Sequence, residues 1–280
     1  GWTDSSFTYP LWGVVIDTDG VAVKPEPLNV RDEKESVQSF ALDFGRKLIE
    51  DGPLKVFLYS QYAALLGKTI DPKTGADTTL GYGLTPIGLD LNFGPARFKW
   101  EYRWTPSGRF EFAYFNKSYE IERAVFQSVG SDNSVVTKAS KLGTYGKQKG
   151  FFSYLGIGLG SMFDAGLSYQ NLNGEKWNEE LLNFEEASNQ NFMAILKMKK
   201  SISKIRSASW YYQQRNVPNP FNFEYTETTI MGYNIGVEMA NGMILTYSFR
   251  RSFMDQNGDG DVTDDDDMIN MTFIETSFFF

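Results

Sequence analysis

Ala96-Arg97-Phe98-Lys99-Trp100-Glu101-Tyr102-Arg103-Trp104 alternates without a break. Side chains of an extended chain point to opposite faces with a period of two. Phe98, Trp100, Tyr102 and Trp104 therefore share one face, and Arg97, Lys99, Glu101 and Arg103 share the other. Such a strand separates an apolar medium from a wet one. A soluble sandwich carries it at a half-buried edge. A barrel crossing a lipid bilayer turns the rings to lipid and the charges to a wet lumen. Recurrence of the pattern decides between them.

The pattern recurs. Leu54, Val56, Leu58, Tyr62 and Ala64 oppose Lys55, Tyr59 and Gln61. Phe40, Leu42, Phe44 and Leu48 oppose Ser39, Asp43 and Lys47, and Asp51-Gly52-Pro53 joins the two runs as a tight turn. Thr229, Met231, Tyr233, Ile235, Val237 and Met239 lead into Ala240-Asn241-Gly242. Met243, Leu245, Tyr247 and Phe249 follow, and Asn-Gly between alternating runs is a strong hairpin signal. The spacing predicts twelve strands, at 8–16, 36–49, 54–66, 79–93, 96–104, 147–160, 164–172, 190–199, 204–214, 225–239, 243–253 and 268–280.

Connections after the even-numbered strands are short, and those after the odd-numbered strands are longer. Short periplasmic turns, long outside loops and an even strand count describe a bacterial outer-membrane barrel, with both termini on the periplasmic side. The expected fold is thus all-β: one transmembrane antiparallel up-and-down barrel over 1–280. Arg109-Phe110-Glu111-Phe112-Ala113-Tyr114-Phe115 also alternates but falls in the third outside loop. It reads as a hairpin arm or an inward fold of that loop. The other reading is a fourteen-strand barrel with a second strand between 117 and 146.

Composition agrees. Of 280 residues, 16% are aromatic, as expected where aromatic girdles mark both membrane interfaces. The best apolar runs, 11–16 and 151–159, fall short of the ~20 residues of a membrane helix, so a membrane would be crossed by strands. No signal peptide stands at the start, and Gly1 reads equally as a mature terminus or a sequence boundary. There is no Cys and no His. This removes disulfides, thiolate and imidazole metal ligands, and Ser–His or Cys–His dyads, and points away from an enzyme. The net charge of −8 argues against a nucleic-acid partner, whose phosphates need a basic surface.

The chain ends Thr272-Phe273-Ile274-Glu275-Thr276-Ser277-Phe278-Phe279-Phe280. This strand resembles the C-terminal strand of many bacterial outer-membrane proteins, with a terminal Phe and an aromatic two residues earlier, matched here by Phe280 and Phe278. Glu275 stands where a glycine is often found. The resemblance implies a Gram-negative outer membrane, contact with lipid and lipopolysaccharide, and recognition of this strand by the barrel-insertion machinery.

The sharpest local motif is Asp255-Gln256-Asn257-Gly258-Asp259-Gly260-Asp261-Val262-Thr263-Asp264-Asp265-Asp266. It resembles the EF-hand and dockerin calcium loop, with oxygen ligands at positions one, three, five, seven, nine and twelve and Gly at six. The resemblance implies a structural Ca²⁺ held by Asp255, Asn257, Asp259, Asp261 through its carbonyl, Thr263 through water, and Asp266. The last position is the shorter Asp of dockerin-type loops, and strands rather than helices flank the loop.

Glu179-Glu180 and Glu185-Glu186, with Trp177, Leu181, Leu182 and Phe184, read as a short amphipathic helix on an outside loop rather than as acid–base catalysts. Residues 118–124 look like a loop turn or short helix. The Gly156, Gly158, Gly160 row marks a strand face open to close approach. A twelve-strand barrel is narrow. Arg97, Lys99, Glu101, Arg103 and Arg250 would line its lumen, so the expectation is a porin-like restricted channel for small polar solutes or ions. The alternative is a non-conducting barrel that anchors or scaffolds surface or periplasmic protein partners.

Overall fold

A computed structural model of the chain describes residues 2–4, 15–16, 22–23, 36–116, 119, 124–129, 132–254, 261–264 and 267–278. Eleven long strands dominate: β1 (Val37–Ile49), β2 (Leu54–Leu66), β3 (Tyr82–Phe93), β4 (Ala96–Thr105), β5 (Tyr145–Leu159), β6 (Phe163–Asn178), β7 (Asn183–Met198), β8 (Ile205–Val217), β9 (Ile230–Ala240), β10 (Met243–Phe253) and β11 (Met268–Phe278). Each pairs antiparallel with its neighbours in chain order, giving one up-and-down sheet. A three-residue strand, Trp2–Asp4, adds to the free side of β1, with Trp2 opposite Ser39. The expected all-β antiparallel meander is present. Closure is not: among the described residues no strand joins β11 to β1 or to Trp2–Asp4.

Eleven of the twelve expected strands match in place. The first, 8–16, lies outside the described residues except Val15–Ile16, which pair with Ala22–Val23 in a separate small sheet. Short turns follow β1, β3, β5, β7 and β9 as expected, with Gly242 of the Asn-Gly turn at φ 79°. That edge of the sheet is the turn end, and the opposite edge is the loop end.

One connection corrects the sequence reading. The long loop expected between 172 and 190 is instead a continuation of β6 and β7, which pair without a bulge from Phe163↔Met198 to Asn178↔Asn183. The turn at 179–182 is no helix. Trp177 and Phe184 sit at helical spacing in sequence but meet across the hairpin, ring centroids 5.3 Å apart and edge to face. Lys176 faces Glu185 in the same register. Asn178 Oδ1 accepts from the backbone N–H groups of Glu180 and Leu181, and this Asx turn reverses the chain.

Neither side of the fourteen-strand alternative enters the main sheet. Ala124–Val129 and Asp132–Thr137 pair only with each other. Residues 109–115 form no strand. They fold inward, and Phe110, Glu111, Phe112 and Tyr114 are buried. Of 118–124, only Tyr119 and Ala124 are among the described residues.

The inward fold reveals the curvature of the sheet. Phe112 lies under the Arg103 guanidinium of β4, 4.7 Å from carbon to ring centroid, while the adjacent Glu111 pairs with Arg215 of β8. Those strands are four spacings apart, roughly 19 Å along a flat sheet. Two consecutive residues that reach both, across three intervening strands, fit a sheet whose charged face is concave.

Candidate functional site

The register places Arg97, Lys99, Glu101 and Arg103 on the concave face together with Tyr59, Asp90, Phe152, Gln170 and, further round, Arg250. The convex face carries exposed apolar side chains from each of the eleven long strands, among them Phe44 at 65% exposure, Ile87, Phe98, Leu155, Leu167, Leu196, Trp210, Tyr233, Tyr247 and Ile274.

The concave charges pair with one another. Glu101 accepts from Tyr59 Oη at 2.5 Å, faces Lys99 Nζ at 2.9 Å and accepts from Arg103 Nε at 2.7 Å. Arg103 reaches on to Gln170 of β6 and stacks on Phe152, 4.0 Å from the centroid. Arg97 grips Asp90 through two nitrogens, Nε at 3.0 Å. A carboxylate with three donors, and an arginine held by a carboxylate, an amide and two rings, are fixed groups in which few lone pairs or protons are left over. Arg250 stands apart from this network; its Nε donates to Tyr211 Oη at 3.3 Å. Tyr59, Asp90 and Gln170 were not singled out in the sequence, although Tyr59 shows there on the same face as Lys55 and Gln61.

Above the network, at the loop end, the β4–β5 segment forms a plug. Phe110, Phe112, Tyr114 and Tyr119 pack with Ala139 and Leu142, and these with Val37, Leu65, Leu80 and Leu172 of the wall and its loops. The helix α1 (Lys138–Lys141) is fixed by a capping box between Thr137 and Ser140. Thr69 Oγ1 donates to the Ala139 carbonyl at 2.8 Å, tying the helix to the β2–β3 loop. Inside the plug Glu111, only 7% exposed, pairs with Arg215 at 5% and stands 3.9 Å from Lys138 Nζ. Lys138 also donates to the Tyr114 carbonyl at 2.8 Å. Asn216, left-handed at φ 53° beside the bulge that ends β8, donates Nδ2 to Tyr145 Oη of β5 at 2.6 Å. Sequence reasoning flagged the segment for its alternation but not Glu111, Lys138 or Arg215, which meet only through the fold.

Of the calcium-loop candidates, Asp255, Asn257, Asp259 and Asp266 lie outside the described residues. Asp261 and Thr263 are described. Asp261 Oδ1 accepts from Thr263 Oγ1 at 2.8 Å and from its N–H at 2.9 Å, which holds the Asp261 carboxyl below the usual carboxylate range. Position seven of such a loop contributes its backbone carbonyl, so a carboxylate turned to Thr263 fits that role. Val262, at hydrophobic position eight, is buried. Among the described residues no group of three or more acidic side chains converges.

The glycine row is approached by side chains. A Cβ on Gly156 would lie 2.8 Å from Tyr154 Oη, and one on Gly158 3.1 Å from Lys199 Nζ.

No protein-family model matches the chain, and no curated protein matches it. The geometry alone carries the functional reading.

Proposed function

We propose that this chain is a bacterial outer-membrane β-barrel that acts as a restricted, porin-like passage for small polar solutes or ions, narrowed at its loop end by its own β4–β5 plug. The carrying observation is the two-faced sheet: exposed large apolar side chains line the convex face of the eleven long strands, and paired charges of β3 and β4 line the concave one. An exposed apolar belt of this extent suits lipid and is a liability in water. Closure into a barrel is part of this proposal, and strand direction sets what it requires. β1 and β11 run the same way, so antiparallel closure needs one more strand between them. Trp2–Asp4, antiparallel to β1, has that polarity. Lipid and lipopolysaccharide would contact the convex belt, and β11 would carry the insertion signal. The acidic 255–266 loop would pin the last outside connection through Ca²⁺.

A second reading, a non-conducting barrel that anchors partner proteins, is favoured by one observation. The plug buries a continuous apolar cluster rather than leaving a wetted gap.

Planar-bilayer recordings in KCl test both readings, on the whole protein and on a variant with residues 106–144 replaced by a short turn. Small conductance steps in the first and larger steps in the second support the passage. Silence in both, from protein that shows heat-modifiable gel mobility, removes the passage and leaves the anchor. Protein that is soluble without detergent removes the barrel altogether.

A further inference from the structure

Among the described residues, the plug packs against the loop-end part of the concave face. Below it, toward the turn end, the wall of β1 to β4 forms an open cleft of about 220 Å³ whose lining includes Asp43, Gly45, Phe57, Tyr59, Gln61, Asp90 and Lys99. We propose that this vestibule is a binding site for one neutral, ring-shaped polyol, a molecule of monosaccharide size.

Three features select that chemistry. The first is the shape of the floor. Gly45 and Gly88 face the rings of Phe57 and Tyr59 from neighbouring strands. A Cβ at Gly45 would lie 2.2 Å from Phe57 Cζ, and one at Gly88 2.4 Å from Tyr59 Cζ. Only glycine lets both rings lean across the adjacent strand instead of projecting into the lumen. The rings stack, with centroids 5.9 Å and planes 19° apart. Lys99 Nζ covers the Tyr59 ring at 4.9 Å, so Phe57, one of the exposed large apolar residues, remains as an apolar platform.

The second is charge. The groups around the platform are three carboxylates, Asp43, Asp90 and Glu101, and three cations, Arg97, Lys99 and Arg103. Lys47, the cross-strand partner of Phe57, adds a fourth cation and is paired with Glu50, so the charges balance in pairs and an ion gains little net attraction from them. The third is the mixture of donors and acceptors at the rim. Asp43 accepts from Gln61 Nε2 at 2.5 Å and retains acceptor capacity, Asp90 accepts, Lys99 donates and Gln61 does both. Hydroxyl groups, each a donor and an acceptor, satisfy such a rim all round. A purely anionic or cationic ligand would meet like charges on part of it. The volume is below the ~300–1,000 Å³ of sites for larger ligands, and the open cleft offers contact area for one small ring.

The site rests on the lumen reading, because it needs the concave face to be wet and reachable from the turn end. Its test is binding, which needs no conductance. Glucose, galactose and myo-inositol are titrated into detergent-solubilised whole protein and followed by calorimetry and by saturation-transfer NMR. The expected result is saturable millimolar binding of at least one, with saturation transferred to the apolar face of the ring. Phe57→Ala should weaken binding about tenfold, and Gly45→Ala, which pushes the Phe57 ring off its seat, should weaken it too. Lack of saturable binding by all three, or affinity unchanged in both platform variants with native gel mobility, overturns the proposal. Failed binding with conductance intact removes this site and leaves the passage. Binding without conductance leaves the site and removes the passage.

Discussion

Substituting Glu111→Gln should loosen the plug without unfolding the sheet. Glu111 lies between Arg215 and Lys138, all three buried. Removing one partner of a buried ion pair costs about 3–5 kcal/mol, because the remaining charge stays desolvated. Two features reduce the cost here. The glutamine oxygen still accepts a hydrogen bond, and Lys138 keeps the Tyr114 carbonyl at 2.8 Å. About 2 kcal/mol remains, which shifts the seated-to-unseated ratio of the plug by about 30-fold. Hydrogen exchange read by mass spectrometry on the folded protein in micelles measures this directly. Amides in peptides covering 106–116 and 138–144 should exchange about 30-fold faster, while those of β9 to β11 should not change. Unaltered plug protection would show that the Glu111 pairs do not hold it. Protection lost equally across β9 to β11 would show that plug and sheet are one cooperative unit, and the reasoning from a separable plug would be wrong.

Other consequences are as direct. Phe110→Ala empties a buried ring position in the plug cluster and should cost about 3–5 kcal/mol of plug stability, read as faster proteolysis within 106–144. Phe44→Arg places a charge near the middle of β1 on the convex face. It should lower the free energy of folding into phosphatidylcholine vesicles by about 2–4 kcal/mol, and an unchanged folding yield would argue against lipid contact there. Calcium titrated into the purified protein should release measurable heat and protect the 254–267 connection from protease. Asp255→Asn with Asp259→Asn should abolish both effects, and a wild-type protein giving no heat removes the calcium loop.

Much of the sheet was legible because its rule is local. In 96–104 the alternation assigns every side chain to a face, and neighbouring strands repeat it, so register and turn positions follow from short windows. The hairpin of β6 and β7 failed for the same locality. Trp177, Leu181 and Phe184 have a helix-like spacing, and nothing within that window shows that Phe184 pairs back across a turn. The site was half visible. Arg97 to Arg103 announce a charged face, but the partners that fix them, Tyr59 and Gln170, lie 42 and 67 residues away from theirs. Glu111 and Arg215 are farther apart still. Pairings at that range arise from curvature of the sheet, which no short pattern encodes. The proposed closure of the sheet would depend on the residues before β1, where the alternation is weakest.

The unbulged ladder of β6 and β7 sets the height of a tip bearing Leu181 and Leu182, the latter 67% exposed and left-handed at φ 47°. Strands of 16 residues exceed the 9–11 a tilted span requires. In the proposed barrel the excess would be a mast whose length is quantised. Removing two residues from each strand lowers the tip by about 7 Å and keeps every remaining side chain on its own face. Removing one from each lowers it by half as much and turns the upper hairpin inside out. Evolution can therefore adjust the reach of this tip only in steps of two.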